Sequence, residues 1–252
     1  MKSGEIYQLG QHRLACGSSS DTDLINQLVG SDKVAMILTD PPYGVSYVES
    51  KRGIVKLATD KVIANDNIAD EPAYQAFTEA WLFVLKPYLA RKNTIYIFNS
   101  DRMLLPTAQA LKATGGKFAQ LLVWAKTQAV IGRLDYLPQH ELILYGWYGT
   151  HTFNKSKDKS VLTYPKPHRS KLHPTMKPVG LLRRLVLNSS KVGDVVFDGF
   201  VGSGSTLLAC EQTNRRCLAV ELDPEYCQTV IDRWQKLTGR KAERCHEPQP
   251  SQ

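Results

Sequence analysis

The segment Asp40-Pro41-Pro42-Tyr43 joins a carboxylate and an aromatic ring to two prolines, directly after the apolar run VAMILT. Proline lacks a backbone N–H, fixes its own φ and restricts the residue before it, so the segment is stiff. The Asp40 carboxylate and the Pro41 carbonyl could accept the two hydrogens of an exocyclic base amino group and aim its lone pair at a sulfonium methyl group. The Tyr43 ring could stack on a base rotated out of a duplex. This combination favours methyl transfer over the alternative, a rigid turn in which Asp40 caps a helix.

A glycine-rich segment, DGFVGSGST at 198–206, lies between a predicted strand and a predicted helix. Gly202 and Gly204 would let the backbone approach a ligand closely, and the helix N-terminus would present free N–H groups. The spacing differs from the G-x-G-x-x-G of dinucleotide sites, so a turn that binds no nucleotide is the alternative. Glu221 ends the next strand, 23 residues after Asp198, close to the offset of about 20 residues at which an acidic side chain meets ribose hydroxyls. The two segments together predict a site for an adenosine-containing cofactor.

Hydrophobic periodicity predicts the elements that position these segments. The predicted strands are residues 34–39, 93–98, 118–126, 194–197 and 217–222, with a hairpin over 5–16. An antiparallel pair is predicted over 140–153, with Gly146 and Gly149 as turn residues. The predicted helices are residues 72–89, 103–114, 178–188, 204–212 and 225–237. This alternation predicts an α/β fold, with a mostly parallel sheet covered by helices on both faces. Both chemical segments then follow the carboxyl ends of strands, where ligands bind in open α/β sheets.

The length of 252 residues predicts one domain over residues 1–239 and a disordered tail over 240–252. Two long polar segments, 44–66 and 150–176, are loops of the kind that are functional or mobile in a compact domain. The second is rich in basic side chains: Lys155, Lys157, Lys159, Lys166, His168, Arg169, Lys171 and His173. A solvated loop is the ordinary interpretation of such a charge run.

Composition narrows the class of protein. No apolar run approaches the length of about 20 residues that a membrane span needs, and no apolar stretch follows the N-terminal lysine, so a cytoplasmic location is expected. The five cysteines form no C-x-x-C pair, which argues against a disulfide framework and against a zinc site. No metal is therefore expected. The formal net charge of +8 permits a polyanionic partner without identifying one.

Six sequence blocks give a more specific indication. In chain order they are TDPPYG, LVWAK, PQHELILYG, HPTMKP, DGFVGSGST and ELDPEYCQTVIDRW. With these blocks the chain resembles the permuted, beta-class amino-methyltransferases of DNA, in which the catalytic DPPY segment precedes the cofactor loop. The resemblance covers nearly the whole chain. It implies a circularly permuted, Rossmann-like fold of the S-adenosylmethionine-dependent methyltransferases, with a mostly parallel seven-stranded sheet.

Carried over by position, the family pattern implies a role for individual residues. The catalytic segment is Asp40, Pro41, Pro42 and Tyr43. The implied cofactor residues are Phe200, Gly202, Ser203, Gly204 and Thr206 at the methionine end with Asp198 beside them, Glu221 at the ribose, and Thr175, Lys177 and Pro178 over the cofactor carboxylate. Asn65-Asp66 resembles the family's Asn-Asp after the catalytic loop.

Two residues depart from the family pattern. Gly199 stands where proline is common, which loosens the turn but keeps the glycines that follow. Ser18 stands where the family often has an aspartate that binds the adenine amino group.

The resemblance implies a site-specific DNA methyltransferase that transfers the methyl group of S-adenosylmethionine directly to adenine N6 of a flipped base. Cytosine N4 is the nearest alternative, because Asp40 suits either amino group. A catalytically silent cofactor-binding or DNA-binding regulator is a third, against which the intact DPPY segment, both glycines and Glu221 argue. The missing G-x-G-x-x-G argues against a nicotinamide oxidoreductase. No cysteine lies in a nucleophile motif, so no covalent intermediate is expected.

The family places target recognition before HPTMKP, so the resemblance also implies DNA contacts in the basic segment. The implied DNA-binding residues are Lys155, Lys157, Lys159, Lys166, Arg169 and Lys171. Because this segment is short, it offers few side chains to base edges, which predicts modest sequence specificity or a homodimer on double-stranded DNA. Membership of a restriction-modification system, with or without a partner endonuclease, stays open.

Overall fold

The computed structural model describes residues 1–43, 70–129, 135–155, 157–166 and 176–245. Several predicted features lie outside these ranges. They are the loop 44–66 with Asn65-Asp66, the site residues Arg169, Lys171 and Thr175, and residues 246–252 of the tail.

The described residues form ten strands and six α-helices. The strands are β1 Ile6–Leu9, β2 His12–Cys16, β3 Val34–Thr39, β4 Leu89–Asn99, β5 Lys117–Ala125, β6 His140–Trp147, β7 Val161–Thr163, β8 Val195–Asp198, β9 Arg216–Glu221 and β10 Glu243–Arg244. The helices are α1 Thr22–Val29, α2 Glu71–Leu85, α3 Leu104–Ala113, α4 Val179–Ser189, α5 Ser205–Glu211 and α6 Pro224–Thr238, with a short 3-10 helix at Lys86–Tyr88.

All ten strands belong to one sheet in the order β10-β1-β2-β9-β8-β3-β4-β6-β5-β7. The five central strands, β2, β9, β8, β3 and β4, are parallel to one another. β1, β10 and β6 add antiparallel pairings on either side. The predicted α/β fold is therefore confirmed, but the described sheet has ten strands rather than seven. The permutation stays a prediction.

Helices cover both faces of the sheet. Buried side chains of α4, α5 and α6 pack against one face, and those of α1, α2 and α3 against the other. The central strands alternate between these two cores: in β4, Tyr96 and Phe98 face the first and Ile95 and Ile97 the second. A strand buried on both sides must be apolar at consecutive positions, which explains the continuous apolar runs of β3 and β4.

Local signals fix where the helices begin. The Asp21 side chain accepts hydrogen bonds from two backbone N–H groups at the start of α1, and Asp70 and Asp223 cap α2 and α6 in the same way. Such caps satisfy donors that have no partner inside the helix. α1 was not predicted, although Asp21 and the apolar Leu24, Ile25, Leu28 and Val29 are its sequence signal.

The predicted antiparallel pair over 140–153 is wrong. The structure has one strand there, β6, with β4 and β5 as its antiparallel neighbours. The error arose from treating Gly146 as a turn residue. A Cβ atom at Gly146 would lie 2.1 Å from the carbonyl oxygen of Lys117, so this glycine permits close approach of two backbones inside the sheet. The chain turns at Gly149, where φ is +65°.

The tail was predicted to be disordered from residue 240, and this is wrong for its first residues. Glu243–Arg244 pair antiparallel with Tyr7 and Gln8, and the Cys245 backbone N–H donates to the Ile6 carbonyl at 2.8 Å. Backbone pairing with an edge strand thus orders a polar segment that has few apolar side chains of its own.

Within the described ranges, no helix is long and apolar enough to cross a membrane.

Candidate active site

The carboxyl ends of the parallel strands bring the two predicted segments together. β3 ends at Thr39 and β8 at Asp198, and these strands are neighbours in the sheet. The Thr39 hydroxyl donates a hydrogen bond of 2.7 Å to Asp198 Oδ1. The DPPY segment therefore begins beside the glycine-rich loop, as expected for strand ends that share one edge of a sheet.

Glu221, at the end of β9, holds the glycine-rich loop in place. Its Oε2 accepts the backbone N–H of Gly202 at 2.8 Å, and its Oε1 accepts that of Asp223 at 3.0 Å. On the other side of β9, the Gly17 N–H donates to the Glu221 carbonyl at 2.9 Å. Gly17 and Ser18 follow the end of β2, so this loop joins the same edge. One glutamate thus organises three chain segments.

The glycines of the loop meet distinct steric demands. Gly204 has φ +88°, and a Cβ atom there would lie 3.0 Å from a methyl group of Val230 on α6. A Cβ atom at Gly199 would lie 3.2 Å from Ser19 Cβ and 3.3 Å from the Phe197 ring. The departure from proline at Gly199 therefore coincides with a position that has little room for a side chain.

The other predicted cofactor residues surround this loop. The Thr206 hydroxyl joins Thr39 in hydrogen bonding to the Asp198 carboxylate. Ser203 is buried, and both its hydroxyl and its carbonyl accept hydrogen bonds from Arg233 of α6. The Phe200 ring packs edge-on against Trp81 of α2, with centroids 5.8 Å apart. Sequence reasoning assigned no role to Arg233, which stabilises the loop from behind.

Burial changes the charge behaviour of both acidic groups at the loop. Burial raises the pKa of Asp198 to about 6, although hydrogen bonds from Thr206, Thr39 and the Phe200 N–H oppose this. Burial also raises the pKa of Glu221 to about 7, against the two backbone hydrogen bonds that favour its ionised form. At neutral pH, Glu221 therefore lies near its titration point in the ligand-free protein.

The raised pKa of Glu221 predicts a pH-dependent stability. The folded protein binds this proton more tightly than the unfolded chain, so the stabilisation is complete below pH 4.5 and is lost as pH rises through about 7. At about 1.4 kcal/mol per pKa unit, the loss is at most about 3.5 kcal/mol. In urea titrations between pH 4.5 and 7.5 without cofactor, Glu221→Gln should lose less unfolding free energy than wild type. Equal losses in the two proteins would contradict the prediction.

The Asp40 cluster comprises Asp40, Tyr43, Lys126, Glu141 and Lys177. The Lys177 ammonium bonds to Asp40 Oδ2 and lies 3.0 Å from Glu141 Oε2. The Lys126 ammonium lies 2.9 Å from Glu141 Oε1. The Tyr43 hydroxyl lies 2.6 Å from Asp40 Oδ1 and 3.0 Å from Glu141 Oε2. Two ammonium groups thus balance two carboxylates in a largely buried site.

Strand ends explain why this cluster forms. β6 runs antiparallel to β4, so Glu141 at its start meets the edge at which β3 and β4 end. Lys126 directly follows β5, which pairs Trp124 with Glu141. Lys177 directly precedes Pro178, the N-cap residue of α4. Three segments that are far apart in sequence therefore deliver charged side chains to Asp40.

The charges in the cluster influence one another. Burial opposes ionisation of Lys177, but the carboxylates of Asp40 and Glu141 outweigh it and raise its pKa. Burial alone would raise the pKa of Glu141, but Lys177 and Lys126 lower it to about 2. Burial raises the pKa of Asp40, with Lys177 opposing and Glu141 adding to the shift. Lys177 and Glu141 are therefore a charged pair, and the negative charge of Glu141 makes ionisation of Asp40 less favourable.

Lys177 was implied to bind the cofactor carboxylate, but in the structure its ammonium lies on Asp40 and Glu141. Lys126 and Glu141 were not identified as site residues, although they occur in the blocks LVWAK and PQHELILYG. In the sequence, each of the two is a charged residue next to an apolar strand, at the end that lies on the ligand-binding edge. Their contact with Lys177 can be predicted only when the order of the strands in the sheet is known.

The four predicted DNA-binding lysines that the structure describes lie in two separate places. Lys155, Lys157 and Lys159 are exposed, and the chain around them is held by Asp158, which bonds to Arg184 of α4. Asn154 bonds to the carbonyl of Ser190, at the end of α4. α4 has 11 residues and so spans about 16 Å, with Lys177 before its start. This group of lysines therefore lies toward the end of α4 opposite the Asp40 cluster.

Lys166 is the exception among the described lysines of this segment. Burial lowers its pKa, while the Glu141 carboxylate opposes this and the Lys177 ammonium adds to it. Lys166 therefore lies within electrostatic reach of the Asp40 cluster.

Residues 34–232 match a family model described as DNA methylase, of the N6/N4 methyltransferase type. The chain is 28% identical over 232 residues to the type II methyltransferase M.HpaI of Haemophilus parainfluenzae, an alignment that covers 80% of this chain and 68% of that protein.

Two solved structures share the fold. The M1.HpyAVI–SAM complex is 24% identical with a TM-score of 0.64, covering 87% of this chain and 98% of that one. The PvuII DNA methyltransferase, described as cytosine-N4-specific, is 14% identical with a TM-score of 0.69, covering 91% of each chain.

Proposed function

Because the chain belongs to the DNA methylase family, we propose that it transfers a methyl group from S-adenosylmethionine to adenine N6 in double-stranded DNA. One observation carries this proposal. The hydrogen bond from Thr39 to Asp198 joins the DPPY segment to the glycine-rich loop, so a base-binding carboxylate and a cofactor cradle lie side by side.

The residues at the loop fit an adenosine-containing cofactor. Glu221 is the last residue of β9, and each oxygen of its carboxylate accepts one backbone N–H. Lone pairs therefore remain on both oxygens to accept ribose hydroxyls. Gly204 has no Cβ atom, which lets the loop pack closely against Val230 of α6. The Ser205 hydroxyl is buried and has no hydrogen-bond partner among the described residues, as expected of a donor that a bound ligand would satisfy. When bound, the cofactor supplies an electrophilic sulfonium methyl group.

This chain's own residues would bind and orient the amino group. An exocyclic base nitrogen is a weak nucleophile, because its lone pair is delocalised into the ring. The Asp40 carboxylate would accept one amino hydrogen and the Pro41 carbonyl the other, which orients the lone pair and stabilises positive charge that develops on nitrogen. No side chain needs to form a covalent bond to the base.

The choice of adenine rests on the resemblance of the six sequence blocks. The geometry at Asp40 suits cytosine N4 equally well, and one structure of similar fold is described as cytosine-N4-specific. Cytosine N4 is therefore the second candidate, and identification of the methylated nucleoside distinguishes the two.

The test is to incubate the purified protein with methyl-labelled S-adenosylmethionine and unmodified genomic DNA, digest the DNA and separate its nucleosides. Label in N6-methyldeoxyadenosine is expected, and mapping of the modified sites would give the recognition sequence. Label in N4-methyldeoxycytidine would instead assign cytosine N4 as the target, and label in neither nucleoside would overturn the proposed function. A reaction with single-stranded DNA of the same sequence tests the preference for duplex.

The basic segment provides a separate prediction. Charge reversal at Lys157, Lys159 and Arg169 is expected to weaken DNA binding and to reduce the slope of log K against log salt by about 0.9 for each phosphate that is no longer neutralised. The matched control reverses three other exposed lysines, Lys33, Lys112 and Lys191, which alters net charge equally. Fluorescence anisotropy at several salt concentrations measures the slope. Equal effects in the two variants, or none, would show that the segment makes no specific phosphate contacts.

A further inference from the structure

The Lys177 ammonium makes contacts that the proposed function reserves for the target base. It bonds to the Asp40 carboxylate, and it lies 5.4 Å from the centroid of the Tyr43 ring and 5.2 Å from that of Phe98. The target amino group would bond to the same carboxylate, and the base would stack on the same tyrosine. A cation of the protein itself therefore bonds to the carboxylate that a substrate N–H must reach.

Glu141 is the group that can retain Lys177 when Asp40 releases it. Its Oε2 already lies 3.0 Å from the Lys177 ammonium, and its Oε1 is fixed by Lys126 at 2.9 Å. The side chains of Lys126 and Lys177 are each only 6% exposed. A buried ammonium without a carboxylate is costly, so Lys177 needs a partner at every stage of the reaction.

We propose that Glu141 is a positioning residue: it holds Lys177 when the target amino group replaces that ammonium on Asp40. Lys126 fixes Glu141 from the opposite side, and the Tyr43 hydroxyl bridges Asp40 and Glu141. This inference rests on the proposed methyl transfer and adds to it a role for two residues, Lys126 and Glu141, that the sequence did not identify.

The charge count of the Asp40 cluster predicts the behaviour of variants. Wild type balances Asp40 and Glu141 against Lys126 and Lys177. Glu141→Gln leaves one excess positive charge, and Asp40 becomes the one charged partner of Lys177 within the cluster. The ion pair between Lys177 and Asp40 is then tighter, so the target amino group displaces Lys177 less readily. Lys177→Met leaves one excess negative charge and two adjacent carboxylates, which favours a protonated Asp40. A neutral carboxyl group is a weaker acceptor and no longer stabilises positive charge on the target nitrogen. The double variant restores balance.

The test is a double-variant cycle on methyl transfer, with kcat and KM for DNA measured at saturating S-adenosylmethionine. Each single variant is expected to lower kcat by about tenfold or more, whereas Glu141→Gln/Lys177→Met should recover to within about threefold of wild type. Saturating cofactor removes any contribution that Lys177 makes to cofactor affinity. Binding of S-adenosylhomocysteine by calorimetry confirms that each variant is folded.

Glu211→Gln is the matched control, because Glu211 also bonds to a buried group, His12, but belongs to no part of the Asp40 cluster. It should keep wild-type kcat. Losses in the single variants that multiply in the double variant would overturn the inference, since independent structural damage gives no rescue. Unchanged kcat in Glu141→Gln would also overturn it. A wild-type protein that methylates no nucleoside would instead overturn the proposed function, and the inference with it.

Discussion

Asp40→Ala is expected to lose nearly all methyl transfer and to leave cofactor binding largely intact. The carboxylate is the acceptor that orients the target amino group and stabilises charge on its nitrogen. Removing one preorganised partner of this kind costs about 100-fold to 1,000-fold in kcat. The glycine-rich loop keeps its own contacts, because Thr39, Thr206 and Glu221 hold it without Asp40. Single-turnover methylation and calorimetric binding of S-adenosylhomocysteine measure the two properties separately.

The structure indicates that this variant will fold. Without Asp40, Lys177 still has Glu141 as a charged partner, so no buried ammonium is left alone. Asp158→Asn is a suitable control, since Asp158 is also ion-paired, to Arg184, and lies outside the site. Equal losses of activity and cofactor binding in Asp40→Ala would assign Asp40 to cofactor binding or folding rather than to catalysis.

The sequence predicted well the part of the site that is local in the chain. DPPY and DGFVGSGST each follow an apolar strand, and parallel neighbours must end at the same edge, so the proximity of Asp40 to Asp198 could be inferred before the strand order was known. The offset of Glu221 from Asp198 likewise placed it on the next strand. These predictions used the stiffness of the proline segment, the conformational freedom of glycine and the positions of strand ends. Each of these depends on residues that are close in sequence.

The parts that sequence missed depend on pairing between distant strands. Glu141 reaches Asp40 only because β6 inserts antiparallel between β4 and β5. Gly146 signalled a turn, but its function is to let Lys117 approach within the sheet. The edge strands β7 and β10 have three and two residues, too few for a periodic signal. In each case a tertiary contact determines the structure rather than local preference.

The basic segment shows the same limit for charge patterns. Six cations within 155–171 suggested one DNA-binding surface. Asp158 and Asn154 instead fix part of that segment to α4, whereas Lys166 approaches the Asp40 cluster. Sequence proximity of like charges therefore gave no information about which of them face the site.

Gly204→Ala is expected to weaken cofactor binding by about tenfold or more and to lower stability by about 2 to 4 kcal/mol. Two costs combine at this position. A non-glycine residue at φ +88° pays about 1 kcal/mol or more in backbone strain. Its Cβ atom would also lie 3.0 Å from Val230, so the loop or α6 must move, and overpacking of this kind costs about 1 to 3 kcal/mol. A displaced loop also moves the Gly202 N–H, which donates a hydrogen bond to Glu221.

Gly193→Ala separates these two costs, because Gly193 has φ +83° and no atom within 4 Å of its would-be Cβ. This variant should lose only about 1 kcal/mol from backbone strain and keep wild-type affinity for S-adenosylhomocysteine, since residue 193 precedes β8 at the opposite edge of the sheet. Urea denaturation and calorimetry on both variants give the comparison. If Gly204→Ala behaved like Gly193→Ala in both measurements, close packing of the loop against Val230 would have no role in forming the cofactor site.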